Sequence, residues 1–298
     1  MKNFTPIGTF TALITPFNSK GEVDFKALRR LIDFQIENGV DGIVVTATTG
    51  ESATLSLREK QAIIIDAVEH TNGRVPVIAG TGTNETELSL NLTLFAKEHG
   101  VDACLLVAPY YNKPNQQGLY EHFRLIAAQV DIPIIIYNVP GRTGVNISAD
   151  TQVRLAKDCP NIVATKEASG NLDQIMKIIK NAPNGFAVLS GDDSLTLPII
   201  ALGGKGVVSV ISNYAPKDFS EMVKLALKGK FENARKLHYK LLELMELNFI
   251  EPNPIPVKYA MSLLGFTKEV YRLPLLPMNS DARKKMRQAL KLAGVITS

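Results

Sequence analysis

Short β-branched runs alternate with longer helix-period stretches over the first 228 residues of the chain. The runs are Ile7–Ile14, Gly42–Thr46, Val75–Ala79, Ala103–Val107, Ile134–Tyr137, Ile162–Lys166, Phe186–Leu189 and Gly206–Val210. Several are continuously apolar, Ile134-Ile135-Ile136 for instance, which is the pattern of strands covered on both faces. Between them, apolar residues recur at helical spacing over 24–38, 56–71, 84–98, 116–129, 148–157, 171–181, 193–202 and 216–228. Asp24 and Asn84 stand where N-caps belong, and Gly39, Gly73 and Gly100 where helices stop. Eight strand–helix units are the count of a closed parallel barrel, so the sequence predicts an α/β fold, a (β/α)8 TIM barrel over residues 1–228. A doubly wound dinucleotide fold would carry a Gly-rich turn after its first strand, where this chain has Thr15-Pro16-Phe17. Past residue 228 the strand signal stops. Helical stretches over roughly 231–248, 254–264 and 280–294, separated by Pro-rich bends, predict a C-terminal helical domain over 229–298 packed on the barrel's side.

Composition narrows the partners. With 298 residues and 45% hydrophobic content the chain can bury a large core without staples. Its net charge of +4 comes from 33 basic residues scattered among 29 acidic ones, so no basic stripe points to nucleic acid. No apolar stretch approaches the roughly 18 residues that would span a bilayer, and no signal-peptide pattern is visible at the N-terminus. Cys104 and Cys159 have neither CxxC nor metal-type spacing, which suits a reducing cytoplasm. The four histidines fall on helical segments away from the strand ends, so no metal or other cofactor is expected. Asp192-Asp193 could imitate a metal pair, but N-capping of the next helix explains it better.

Barrel enzymes keep their chemistry at the C-terminal ends of the strands. Six of the eight predicted strands deliver polar or titratable groups there. Strand two ends in Thr46-Ala47-Thr48-Thr49-Gly50-Glu51-Ser52, strand four in Pro109-Tyr110-Tyr111-Asn112, and strand five in Tyr137-Asn138-Val139-Pro140-Gly141-Arg142. Strand six ends on Lys166-Glu167, strand seven on Ser190-Gly191-Asp192-Asp193, and strand eight on Ser209. A lone lysine at a strand end ordinarily snorkels to solvent. Lys166, closing an apolar strand among hydroxyls and phenols, suits a desolvated amine that attacks a ketone. Imine chemistry moves several protons, and Tyr137, with Thr48 or Thr49 as a donor–acceptor link, can supply a relay. Arg142, in a Gly-rich turn, suits bidentate capture of a carboxylate.

At these residues the chain resembles the dihydrodipicolinate synthase / N-acetylneuraminate lyase family of class I aldolases, along essentially its whole length. The resemblance runs from Thr11–Phe17 through TTGES, PYYN, YNVPGRTG, KEASGN and EPNPIPVK to the C-terminal helices. It implies that Lys166 forms the Schiff base, that Tyr137 is the general acid and base, and that Thr48 relays protons. Tyr111 would complete that relay across a tight dimer interface. It also implies that Thr49 holds the pyruvate carboxylate, that Arg142 holds the carboxylate of the aldehyde, and that Gly191 and Val208 line the pyruvate site. The expected substrates are pyruvate and L-aspartate 4-semialdehyde, and the expected assembly is a cytoplasmic homotetramer built as a dimer of tight dimers.

GRTG after YNVP and the doubled tyrosine of PYYN favour the semialdehyde, whereas the lysine, tyrosine and TTGE signals specify the chemistry alone. An aldolase of the same fold acting on N-acetylneuraminate or a keto-deoxy sugar acid is the nearest rival, and an inactive ligand-binding barrel is a distant one. The chain departs from the family pattern in carrying Val208 for a common isoleucine and Ala47 for a frequent glycine. Where lysine-inhibited members place histidines and a glutamate at the dimer interface, it has Leu57, Lys60 and Leu88, although Ser52, Asn84 and Tyr110 fit the regulated pattern. Lys60 would repel a cationic effector, so weak or absent inhibition by L-lysine is expected.

Overall fold

The computed structural model describes residues 4–297. Eight parallel strands close a barrel in chain order: β1 (Gly8–Ala12), β2 (Gly42–Val45), β3 (Val77–Gly80), β4 (Ala103–Val107), β5 (Ile134–Asn138), β6 (Ile162–Glu167), β7 (Ala187–Ser190) and β8 (Gly206–Ser209). The outer layer and extension comprise α1 (Phe25–Glu37), α2 (Leu57–Thr71), α3 (Thr86–Glu98), α4 (Gln116–Gln129), α5 (Pro140–Thr143), α6 (Ala149–Asp158), α7 (Leu172–Asn181), α8 (Thr196–Ala201), α9 (Pro216–Leu227), α10 (Phe231–Leu247), α11 (Ile255–Leu263) and α12 (Ser280–Leu292). Every predicted strand and helix is present, with ends shifted by at most three residues. Asp24 caps α1 by accepting from the Ala27 N–H, and Gly39, Gly73 and Gly100 all have positive φ just past their helices. Asn84 is not a cap: α3 begins one residue later, with Glu85 at the N-cap and no side-chain bond.

Alternation along each strand splits the core in two. Ile134 and Ile136 face the helices, whereas Ile135 and Tyr137 face the barrel interior with Phe10, Val44, Ile78, Leu105, Leu189 and Val208. One irregularity bears on the site. Ile134 pairs with Ile162, but Ile135 pairs with Ala164, so Val163 is an extra residue on β6. That bulge reverses the inward–outward parity: Ile162 packs among the helices, yet Ala164 lies inside the barrel. It also brings Lys166, rather than Thr165, opposite Tyr137.

The C-terminal helices share the outer core. Leu241, Leu244 and Met245 of α10, Val257, Ala260 and Met261 of α11 and Met286 and Leu290 of α12 are buried in the same cluster as Phe219 and Val223 of α9. Burial of such side chains is worth roughly 1.5–3 kcal/mol each, so the extension is held as firmly as the barrel helices. The bend between α10 and α11 carries Pro252, Asn253 and Pro254 over the barrel mouth, where they line its cavity.

Candidate active site

A cavity of about 380 Å³ opens at the C-terminal end of the barrel. Thr46, Ala47 and Thr48 line it from the β2 end, Tyr137 and Val139 from β5, Arg142 from α5, and Pro252 to Pro254 from the extension. After β2 the chain winds into two short 3-10 turns, Thr48–Gly50 and Ser52–Thr54, hinged at Glu51 in the left-handed region (φ +53°). A non-glycine residue in that region costs stability unless its surroundings hold it there. Here the Thr15 hydroxyl donates to the Gly50 carbonyl at 2.7 Å, and the Lys258 ammonium donates to the Glu51 carboxylate, both side chains having no exposure. Lys258 also donates to the Val270 carbonyl at 2.7 Å and sits 4.1 Å from the Phe17 ring centre.

Beneath the cavity, Lys166 and Tyr137 are neighbours in the ladder, each 5% exposed; Tyr137 lines the cavity, whereas Lys166 lies behind it and does not. The Lys166 Nζ stands 4.0 Å from the centre of the Tyr137 ring, close enough for the ring face to attract a cation. A fully buried carboxylate lies behind this pair. Glu167 accepts from Asn138 Nδ2 at 2.9 Å, Gln152 Nε2 at 2.9 Å, Gln174 Nε2 at 3.0 Å and the Ser169 N–H at 3.1 Å. Since Asn138 follows Tyr137 and Glu167 follows Lys166, these neutral donors tie the two strand ends together while solvating the charge.

The remaining expected residues divide. Thr49 is buried behind the lining, its hydroxyl accepting from Asn253 Nδ2 at 3.0 Å, and Arg142 donates from Nη2 to the Asn253 carbonyl at 3.3 Å. Val208 is buried inside the barrel and Gly191 sits at the end of β7, but neither lines the cavity. A Cβ at Gly191 would lie 2.5 Å from the Ala168 Cβ, so the close approach of β6 and β7 requires glycine. Tyr111 is not brought to the cavity within this chain: at φ +72° it projects outward, 88% exposed, whereas Tyr110 lines the mouth.

Asp192 and Asp193 do not cap α8 as expected. Asp192 makes no capping bond, and burial pushes its carboxyl upward while the Lys166 charge pulls it back. Asp193 turns toward β8, accepting from the Ile211 N–H at 2.8 Å and the Val210 N–H at 3.1 Å. Burial outweighs those bonds and raises its carboxyl to about 6. Among the described residues no group of three or more His, Cys, Asp or Glu side chains is placed to hold a metal.

Asn253, Lys258, Glu51 and Glu167 lie in segments that the sequence reading singled out, but it gave them no role. Two of them carried a visible signal: Lys258 is the one charge in the apolar helix Ile255–Leu263, and Asn253 is pinned between two prolines.

The sequence pattern of the Dihydrodipicolinate synthetase family matches residues 5–293. A 4-hydroxy-tetrahydrodipicolinate synthase of a Hydrogenobaculum species is 55% identical over 289 residues, covering 97% of this chain and 99% of that one. The Bacillus subtilis protein of the same name is 52% identical, covering 94% and 97%. The crystal structure of dihydrodipicolinate synthase from Aquifex aeolicus superposes with a TM-score of 0.96 at 52% identity, covering 97% and 99%. Matched from its first strand to its last helix, with a lysine–tyrosine pair buried at the barrel mouth, the chain belongs to the dihydrodipicolinate synthetase family.

Proposed function

We propose that the chain condenses pyruvate with L-aspartate 4-semialdehyde through an imine on Lys166, giving 4-hydroxy-tetrahydrodipicolinate at the entry to the diaminopimelate and lysine branch. The activity, an aldolase-type lyase reaction, goes with kinship, since relatives more than half identical over nearly the whole chain carry the synthase's name. The observation that supports the roles is the Lys166 amine 4.0 Å from the centre of the Tyr137 ring, both buried, with Tyr137 lining the cavity.

The Lys166 nitrogen attacks the ketone carbon of pyruvate. Tyr137 donates a proton to the departing hydroxyl, and water leaves as the imine forms. The Tyr137 phenolate takes a proton from the pyruvate methyl to give an enamine, whose carbon attacks the aldehyde; as the new C–C bond forms, Tyr137 returns that proton to the aldehyde oxygen, which becomes the hydroxyl. The semialdehyde's amino nitrogen then attacks the imine carbon and releases the lysine amine. Thr48 and Tyr111 carry protons between Tyr137 and solvent, Thr49 donates to the pyruvate carboxylate, Arg142 binds the second carboxylate, and Gly191 and Val208 shape the pyruvate end.

Tyr111 can serve this site only from a second subunit, which supports a tight dimer and, by extension, a dimer of dimers; light scattering at the tetramer mass tests it. We assign residues 1–228 to the catalytic barrel and 229–298 to the helical domain, because the ladder closes at β8 and α9 ends at Leu227; the first three residues and the last lie outside the described ones. A cytoplasmic location fits two buried free thiols, and among the described residues no helix is long and apolar enough to cross a membrane.

Borohydride in the presence of pyruvate should label the protein once per chain at Lys166, and Lys166→Ala should abolish the label. Labelling of the variant at unchanged stoichiometry refutes the lysine assignment. Coupled reduction of the cyclised product formed with the semialdehyde, beside pyruvate consumption with N-acetylmannosamine as the aldehyde, separates the semialdehyde reading from that of a sugar-acid aldolase.

A further inference from the structure

Thr49 and Arg142 come from different strand ends, yet one residue of the extension touches both. Asn253 Nδ2 donates to the Thr49 hydroxyl oxygen at 3.0 Å, and the Asn253 main-chain oxygen accepts from Arg142 Nη2 at 3.3 Å. Asn253 is 6% exposed, and the proline on each side restricts its backbone. No bond reaches its Oδ1, a buried oxygen without a partner. Leaving a buried amide oxygen unpaired costs roughly 1–3 kcal/mol, a cost that this orientation of the amide carries while its nitrogen donates to Thr49.

A hydroxyl can donate or accept, and which it does depends on its neighbours. With an N–H already pointed at its oxygen, the Thr49 hydroxyl has its proton free to donate elsewhere. A substrate carboxylate needs that orientation, because it can only accept. We infer that Asn253 is a positioning residue for the proposed reaction: its amide fixes the Thr49 hydroxyl as a donor to the pyruvate carboxylate, while its main chain steadies Arg142 for the other carboxylate. The inference rests on the roles proposed above for Thr49 and Arg142. It makes the C-terminal extension part of the substrate site as well as of the core.

The two halves of this contact respond differently to substitution. Asn253→Ala removes the donor to Thr49 and keeps the main-chain oxygen that receives Arg142. The KM for pyruvate should therefore rise roughly tenfold, the fold-change that follows from losing one well-oriented bond to a charged group. The KM for the semialdehyde should stay within about twofold of the parent's, since the substitution keeps the main-chain oxygen that receives Arg142. Asn253→Asp keeps the shape and replaces the donor with an acceptor. It should raise the pyruvate KM further, because Thr49 would turn its proton to the new carboxylate and the added charge would repel pyruvate. In a Thr49→Val background Asn253→Ala should have little further effect on the pyruvate KM, since the group it acts through is gone.

Steady-state kinetics of the full-length protein with both substrates varied, and thermal midpoints of each variant alongside, make the test. Equal rises in both KM values, or an undiminished effect of Asn253→Ala in the Thr49→Val background, would overturn the inference, as would unchanged pyruvate KM in both Asn253 variants. If Asn253→Ala does not fold, the isosteric Asn253→Asp decides alone through the split between the two KM values. A Thr49→Val variant with unchanged pyruvate KM would overturn the Thr49 assignment together with the inference. A raised KM in Thr49→Val beside unchanged Asn253 variants would overturn the inference only.

Discussion

Removing the ammonium of Lys258 should destabilise the protein severely and distort the Thr48–Thr54 loop. Glu51 and Lys258 pair with no exposure on either side chain, one in the left-handed hinge of that loop and the other in α11. Burial pulls the Lys258 ammonium below its usual value despite the attraction of Glu51, with the Arg272 charge acting in the same direction. Desolvation thus outweighs the attraction, and the pair by itself is a weak source of net stability. Breaking it is another matter. Lys258→Met would leave Glu51 with the Arg272 main-chain N–H at 3.4 Å and the more distant Arg272 charge, and breaking a buried ion pair by removing one partner costs about 3–5 kcal/mol. Native domains are stable by roughly 5–15 kcal/mol, so this is a large share. For a chain of this length each kcal/mol moves the thermal midpoint by about 2 °C, which gives a drop of roughly 6–10 °C. Glu51→Gln should fall by a comparable amount because it leaves the Lys258 ammonium buried with neutral partners alone, the Val270 carbonyl among them. The double variant should recover at least about 2 kcal/mol over the sum of the two, since neither charge is then stranded. Thermal midpoints of the four proteins at one pH and concentration supply the cycle. Losses under about 2 °C, or strict additivity, would show that water reaches these groups and that the buried-pair reasoning fails.

Asp193 should make stability depend on pH. Its carboxyl rises from 3.8 to about 6 on folding, so the native state holds the proton more tightly. The stability it contributes is complete below about 4 and is lost as pH rises through about 6, by up to about 3 kcal/mol. Asp193→Asn should remove this decline, so the difference in midpoint between parent and variant should change across that window; parallel profiles would refute it. L-Lysine at sub-millimolar concentration should inhibit weakly or not at all, because the half-buried Lys60 at the mouth repels a cation, and clear inhibition in the coupled assay would show otherwise.

The barrel was legible because its signal is local and repeated. Strands buried on both faces read as apolar runs, helices as amphipathic stretches, and the polar strand ends collect on one rim whatever the packing details. That reasoning reached Lys166, Tyr137, Thr48 and Arg142, with the family resemblance adding their roles. It could not reach Asn253 or the Glu51–Lys258 pair, whose partners lie 204 and 207 residues apart in the chain.

Alone, then, the sequence determined the element order, the eight-strand count, the helical extension and the residue types at the rim, since each follows from periodicity over a few turns or pleats. Tertiary structure decided which of those rim residues meet. Counted by strict alternation from Ile162, which faces the helices, Lys166 would point out of the barrel. The extra residue at Val163 reverses the parity and sets Lys166 against Tyr137. A one-residue bulge leaves almost no mark on hydrophobic pattern, because it is fixed by how β6 must bend to pair with β5 and β7 at once.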